Sequence, residues 1–159
     1  MAYNQGGSSR GGYQGGRGGF QQRDEKPKRL PDGYLEGGYY EFRDGKSALK
    51  REYIVGYPVQ IADALAERDR NMNKSSQIRK YYDFCIRIRD MIHAGKDYQE
   101  VEAEFCRLSN FVAYAASRNL VSQLFVRFID MNIKAIRNKE DFFAFIKHFE
   151  AVVAHLKEK

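Results

Sequence analysis

The chain is short of the residues that build reactive centres. Its 159 residues include two cysteines, three histidines and three prolines, and only Gly56 and Gly95 follow Gly45 among the 14 glycines. Cys85 and Cys106 fall inside helical patterns, with no CxxC and no histidine at ligand spacing, so they read as reduced core thiols and not as a disulfide or zinc framework. His148 and His155 stand seven residues apart with Asp141 seven before, like a ligand row. Seven helical residues rise about 10.5 Å, too far for two imidazoles to share a metal at about 2 Å each. Surface or edge positions are expected for both. There is no HExxH, no GxSxG and no phosphate loop with its Lys-Ser/Thr pair. No catalytic residue, metal site or cofactor is therefore assigned, and the chain is read as a non-enzyme. No apolar run approaches the roughly 18–20 residues of a membrane span, and the N-terminus lacks the charged-then-apolar plan of a signal peptide. The expectation is a soluble, cytoplasmic protein without a membrane partner.

What is present divides in three. Residues 1–31 are rich in Gly, Gln, Ser and Arg and repeat at neither helix nor strand period, so they are expected to form a disordered leader. Within it, Arg10-Gly11-Gly12 and Arg17-Gly18-Gly19 lie beside Tyr13 and Phe20. Guanidinium and aromatic faces of this kind can meet phosphates and unpaired bases, or simply solubilise the chain. Residues 32–56 read as an aromatic linker in which Asp44-Gly45, between Tyr39-Tyr40-Glu41-Phe42 and Glu52-Tyr53-Ile54-Val55, signals a hairpin. Two strands are not stable alone, so the hairpin must rest on the helical body or on a partner.

Residues 57–159 carry helical periodicity throughout, which predicts an all-α fold, a small bundle of about five helices. Pro58 opens a short helix with Ile61, Ala62, Leu65 and Ala66 on one face, up to about Arg70. The second starts at Ser75 or Ser76, carries Ile78, Tyr81, Cys85, Ile88 and Ile92 inward, and stops at Gly95. The third opens at Asp97 with Glu100 in its first turns and turns Tyr98, Val101, Phe105, Leu108, Val112 and Ala115 inward. A fourth is expected over about 121–137 with Leu124, Phe128, Met131 and Ala135 inward, and a fifth over about 139–157 with Phe142, Phe145, Phe149, Val152 and Leu156 inward. Second apolar faces, among them Phe125, Ile129 and Phe111, leave core and subunit interface undivided.

The net charge of +6 favours a polyanionic partner. Arg127, Asp130, Lys134 and Arg137 step 3, 4, 3 along the fourth helix, opposite its expected apolar stripe, so three cations can face one way as a phosphate track over about 15 Å. The alternative is a solvated face with Asp130 pairing internally. On the second helix Arg79, Asp83, Arg87 and Asp90 alternate in sign, a pattern of self-compensating surface, with Lys80 and Arg89 outside it. Arg118, one turn after Tyr114, sets a cation beside an aromatic face that can stack on a base or pack locally.

Four segments together resemble a known family. YPVQIADALAER at 57–68 and the following SSQIRKYYDFCIRI resemble the first two helices of the small subunit of type III-A CRISPR effector complexes, the Csm small subunit. NFVAYAASRN at 110–119 resembles that family's Tyr-x-x-x-Arg helix end, and DFFAFIKHFEAVVAHLK at 141–157 its aromatic C-terminal helix. The resemblance runs over about residues 57–158, in order and spacing. It implies a non-catalytic subunit that stacks in several copies along the guide RNA paired to target RNA, in antiviral defence. The implied partners are RRM-like backbone subunits, a large polymerase-like subunit and further copies of the chain. Arg79, Lys80 and Arg118 are implied RNA-binding positions by this resemblance; Arg127, Lys134 and Arg137 rest on the stripe argument alone. The competing reading is an RNA chaperone that binds through its Arg-Gly-Gly leader and uses the bundle to oligomerise.

Overall fold

The computed structural model describes residues 29–66 and 71–157. Of the expected leader only residues 29–31 fall within this range, and 67–70, the end expected for the first helix, lie outside it. Five helices form the body: α1 Tyr57–Leu65, α2 Ser75–His93, α3 Tyr98–Ser117, α4 Gln123–Ala135 and α5 Lys139–Ala154. A hairpin of β1 Tyr40–Arg43 and β2 Lys46–Leu49 and a 3-10 turn at Arg51–Tyr53 precede them. The all-α bundle expected from periodicity is the fold.

Local chemistry sets the helix starts. Asp97 and Glu100 form a reciprocal capping box on α3, with the Asp97 amide donating to Glu100 Oε2 at 2.7 Å. Asn138 Oδ1 accepts from the Asp141 amide at 2.8 Å and opens α5. The Ser122 hydroxyl accepts from the Phe125 amide at 3.4 Å to open α4. Asn73 fixes Ser122 in turn: its Nδ2 donates to Ser122 Oγ and to the Leu65 carbonyl, and its Oδ1 accepts from the Ser122 amide. The loop before α2 is thereby tied to the turn before α4.

The inward stripes of α2 and α3 are those the spacing predicts, with Phe84 added on α2. α2 packs chiefly against α3 and α5, α4 against α3 and α1, and α1 against α5. At the centre Phe105, Phe125, Phe128, Phe142, Phe145 and Phe149 are fully buried and meet ring to ring at centroid distances of 5.0–6.3 Å. Rings of this size dominate core energetics, and their tilted and edge contacts add to burial.

The fourth helix departs from its expectation in phase and in length. Its buried residues are Phe125, Phe128, Ile129 and Asn132, whereas Leu124, Met131 and Ala135 are only half-buried. Phe125 and Ile129, expected only as a second apolar face, are the core face, and the polar Asn132 completes it. The helix stops at Ala135 because Ile136 turns extended (φ −82°, ψ 118°), two residues before Asn138 caps α5. α5 ends at Ala154 and leaves Leu156 beyond it, half-buried.

The segment before α1 belongs to the core. Leu30, Tyr34, Tyr39 and Tyr53 are all buried in the same cluster as the helices, so residue 57 marks no break in packing. Asp44 (φ 49°) and Gly45 (φ 75°) make the two-residue turn, the positive pair that a type I′ hairpin requires. The hairpin rests on the bundle, with the Tyr40 hydroxyl donating to the Glu140 carbonyl at 2.8 Å. His148, expected at a surface or edge, is fully buried; His155 is exposed.

Candidate nucleic-acid interface

α4 turns its aromatic face into the core and leaves a flank to solvent along an open hollow of about 560 Å³. Leu124 and Met131 lie in that hollow together with Arg127 and Lys134. The basic residues thus flank the half-buried apolar ones instead of standing opposite them, a direct consequence of the shifted phase. Arg127 and Lys134 are two turns apart, about 10.5 Å of rise. Asp130 between them accepts a hydrogen bond from the Ser109 hydroxyl of α3 at 2.6 Å, so its carboxylate is engaged toward the neighbouring helix. Among the described residues neither Arg127 nor Lys134 forms an ion pair or a side-chain hydrogen bond.

Arg137 is not on this flank. It follows the end of α4, where its amide donates to Asp141 Oδ2 at 3.1 Å, and it lines a second hollow with Leu35, Gly37, Gly38 and Asp141. The expected three-cation stripe is therefore a pair, because the helix that would extend it ends at Ala135.

The other expected contacts fall on two further edges. Lys80 shares its helical row with Phe84 and Arg87, and Phe84 meets Phe111 of α3 edge to face at 5.5 Å. Arg79 shares its row with Tyr82, which meets Phe149 of α5 at 5.6 Å. Adjacent in sequence, the two cations lie on different sides of α2. Arg118 sits over the Tyr114 ring at 5.6 Å and donates to its hydroxyl at 2.8 Å, so the cation and ring pack on each other while Tyr114 stays 63% exposed.

Sequence reasoning missed the rest of that edge. Arg107 lies over Phe111 at 5.0 Å and Arg87 over Phe84 at 5.6 Å, so 107, 111, 114 and 118 form one cation and ring row on α3 beside Phe84 and Arg87. The 4, 3, 4 spacing was the available signal. Arg87 belongs to this row and not to a charge ladder, and the acid at position 90 pairs with Arg89 at 3.1 Å.

Among the described residues no group of three His, Cys, Asp or Glu side chains could hold a metal ion, and no helix is long and apolar enough to cross a membrane. Burial pushes the Cys85 thiol well above its ordinary range, which keeps it protonated and unreactive.

Residues 52–158 match the family described as Csm2 Type III-A. The chain belongs to the Csm2 Type III-A family. Csm2 proteins are the small subunits of type III-A Csm complexes, so the resemblance carried by the four helical segments identified the family. The Csm2 match takes in all five helices and the α4 flank, and it begins at Glu52, after the hairpin and after Tyr34 and Tyr39. No curated protein and no solved structure matches the chain.

Proposed function

We propose that this Csm2 chain is a non-catalytic subunit that holds guide RNA and target RNA through the α4 flank, repeating in several copies along the paired strands. The observation that carries the reading is the pair Arg127 and Lys134: both exposed, both without a protein partner among the described residues, and both on one open hollow whose only acid is engaged by Ser109. Cations left unpaired on a helix flank are suited to phosphates, whose counterions they release on binding. Arg118 with Tyr114, and Lys80 beside Phe84, offer a second edge where a base can meet a ring or guanidinium. Arg79 and Arg137 are secondary contacts on separate surfaces. The RRM-like backbone subunits and the large polymerase-like subunit would take the apolar surface that the RNA leaves open, in the cytoplasm.

The test uses complexes rebuilt with Arg127→Glu/Lys134→Glu. Retention of target RNA should fall, and binding of RNA by the free protein should lose about one to two contacts' worth of salt dependence, at a slope of about 0.7–0.9 per contact. Complexes that assemble and hold target RNA like wild type would show this flank to be solvated surface, and Lys80 and Arg118 would be the next pair to reverse.

A further inference from the structure

The hairpin overhangs the bundle and ends in an unusual side chain. Tyr40 and Leu49 face each other across the strands and pack on the core, and Phe42 lies on that same face two residues further out, where it is 83% exposed. It is the most exposed of the large apolar side chains among the described residues.

The backbone beside it is open as well. The turn joins Arg43 to Lys46 with two residues, and Lys50 donates to the Tyr39 carbonyl at 2.8 Å, so residues 39, 41 and 43 direct their main-chain groups toward β2. Tyr40 and Phe42 therefore direct theirs toward the outer edge of β1, and among the described residues no backbone group pairs there. A free edge carrying an exposed aromatic residue is a template for another strand.

The charge pattern selects which strand. β1 reads Tyr40-Glu41-Phe42-Arg43, with an acid and a base flanking Phe42 on the opposite face of the sheet. When β1 pairs antiparallel with itself about a dyad through Phe42, Phe42 faces Phe42 across two backbone hydrogen bonds, and Glu41 of each copy faces Arg43 of the other. These two charged pairs occupy the non-hydrogen-bonded sites, where cross-strand side chains come closest. Within one copy Glu41 and Arg43 already form an ion pair at 2.6 Å, and Arg43 lies directly across from Lys46, a like-charge neighbour. Pairing surrounds each Arg43 with a second carboxylate. The β2 edge has no such symmetry, since a dyad at Ser47 sets Lys46 against Ala48.

We infer that the outer edge of β1 is a self-recognition site whose partner is the β1 strand of a second copy. A dyad contact closes on two copies. It is therefore distinct from end-to-end repetition along RNA, and it does not rest on the RNA reading above. A contact between two four-residue strands is small beside the roughly 1,200 Å² of stable complexes, so pairing is weak.

Sedimentation of the full chain between about 10 µM and 1 mM tests it. Wild type should pass from monomer to dimer. Glu41→Arg and Arg43→Glu each set like charges across both sides of the dyad and should weaken association about tenfold or more. An equal mixture of the two variants restores opposite charges at both sites and should dimerise again, a rescue that no change in the stability of a single copy can imitate. A wild type that stays monomeric throughout, single variants that dimerise like wild type, or a mixture that remains monomeric would each overturn the inference. RNA binding by either variant bears on the α4 flank alone.

Discussion

The Tyr34 hydroxyl and His148 Nε2, 114 residues apart in the chain, meet at 2.6 Å in the interior. His148 Nδ1 lies 2.7 Å from the Tyr53 carbonyl, which can only accept, so Nδ1 carries the proton and Nε2 accepts from Tyr34. The Tyr34 oxygen in turn accepts from Asn132 Nδ2 at 2.9 Å, and Asn132 Oδ1 accepts from the Tyr39 hydroxyl at 2.8 Å. The N-terminal segment is thus fastened to α4 and α5 by one chain of hydrogen bonds with no buried side-chain polar atom left over among the described residues.

This arrangement makes stability depend on acid. Burial lowers the His148 pKa from 6.5 to about 4, against a smaller opposing pull from the Tyr53 carbonyl. The folded value lies below the unfolded one, so between pH 6.5 and 4 the unfolded chain binds more protons and stability falls as pH falls. The contribution is complete above pH 6.5, and about 3 kcal/mol is lost by pH 4. Urea midpoints at pH 7 and pH 4.5 should differ more for wild type than for His148→Gln; equal differences would contradict the linkage.

Asn132→Leu keeps the branching and heavy-atom count of the side chain, adds some bulk and removes both of its polar atoms. The Tyr39 hydroxyl then loses its 2.8 Å acceptor, at about 1–3 kcal/mol for a buried donor deprived of its partner, whereas Tyr34 loses its Asn132 donor but keeps His148. Tyr39→Phe combined with Asn132→Leu should recover part of the loss, because a phenyl ring needs no partner. Denaturation of the single and double variants reads this directly.

The family-matching part of the chain should not be self-sufficient. A chain beginning at residue 29 is expected to melt like the full protein, whereas one beginning at residue 52 loses Leu30, Tyr34 and Tyr39 from the core and is expected to melt tens of degrees lower or not to fold. Thermal melts followed by circular dichroism distinguish the two, and equal melting would show that the segment only lies on the surface.

Phe145→Ala and Phe149→Ala, both fully buried, should each cost about 3–5 kcal/mol through the cavities they open. Arg127→Glu and Lys134→Glu, on exposed positions, should each shift stability by no more than about 0.5 kcal/mol. Melts of the four variants beside RNA binding separate residues that hold the fold from residues proposed to hold the ligand.

Where one physical signal dominated, the fold was legible. The stripes of α2 and α3 are strict apolar periods, the start of α3 is a capping box, and Asp44-Gly45 is a turn that few dipeptides can make, although the second strand is Lys46–Leu49 and the apolar run at 52–55 expected to flank the turn begins in a 3-10 turn instead. Legibility failed where polar residues occupy the core. His148 reads as surface, and Asn132 falls on no expected stripe, because their burial depends on partners about 100 residues away; the core roles of Tyr34 and Tyr39 and the true phase of α4 are hidden for the same reason. Of the six candidate contacts, Arg127 and Lys134 line one hollow, as their spacing on one helix face requires. Spacing could not foresee the end of α4 before Arg137; the Arg107 and Phe111 pair is open to it in the 4, 3, 4 spacing of α3, and only Phe84 and Arg87 of α2 need the fold to join that row.

The chain has 11 tyrosines and no tryptophan, so its ultraviolet emission comes from phenols alone. Three of these, Tyr34, Tyr39 and Tyr53, are buried where the N-terminal segment locks onto the helices, with hydroxyls bonded to His148, Asn132 and the Leu35 amide. Undocking of that segment moves all three from hydrogen-bonded interior to water at once. The unlabelled protein therefore carries its own optical reporter of docking, readable in absorbance and emission during assembly, with no dye and no substitution.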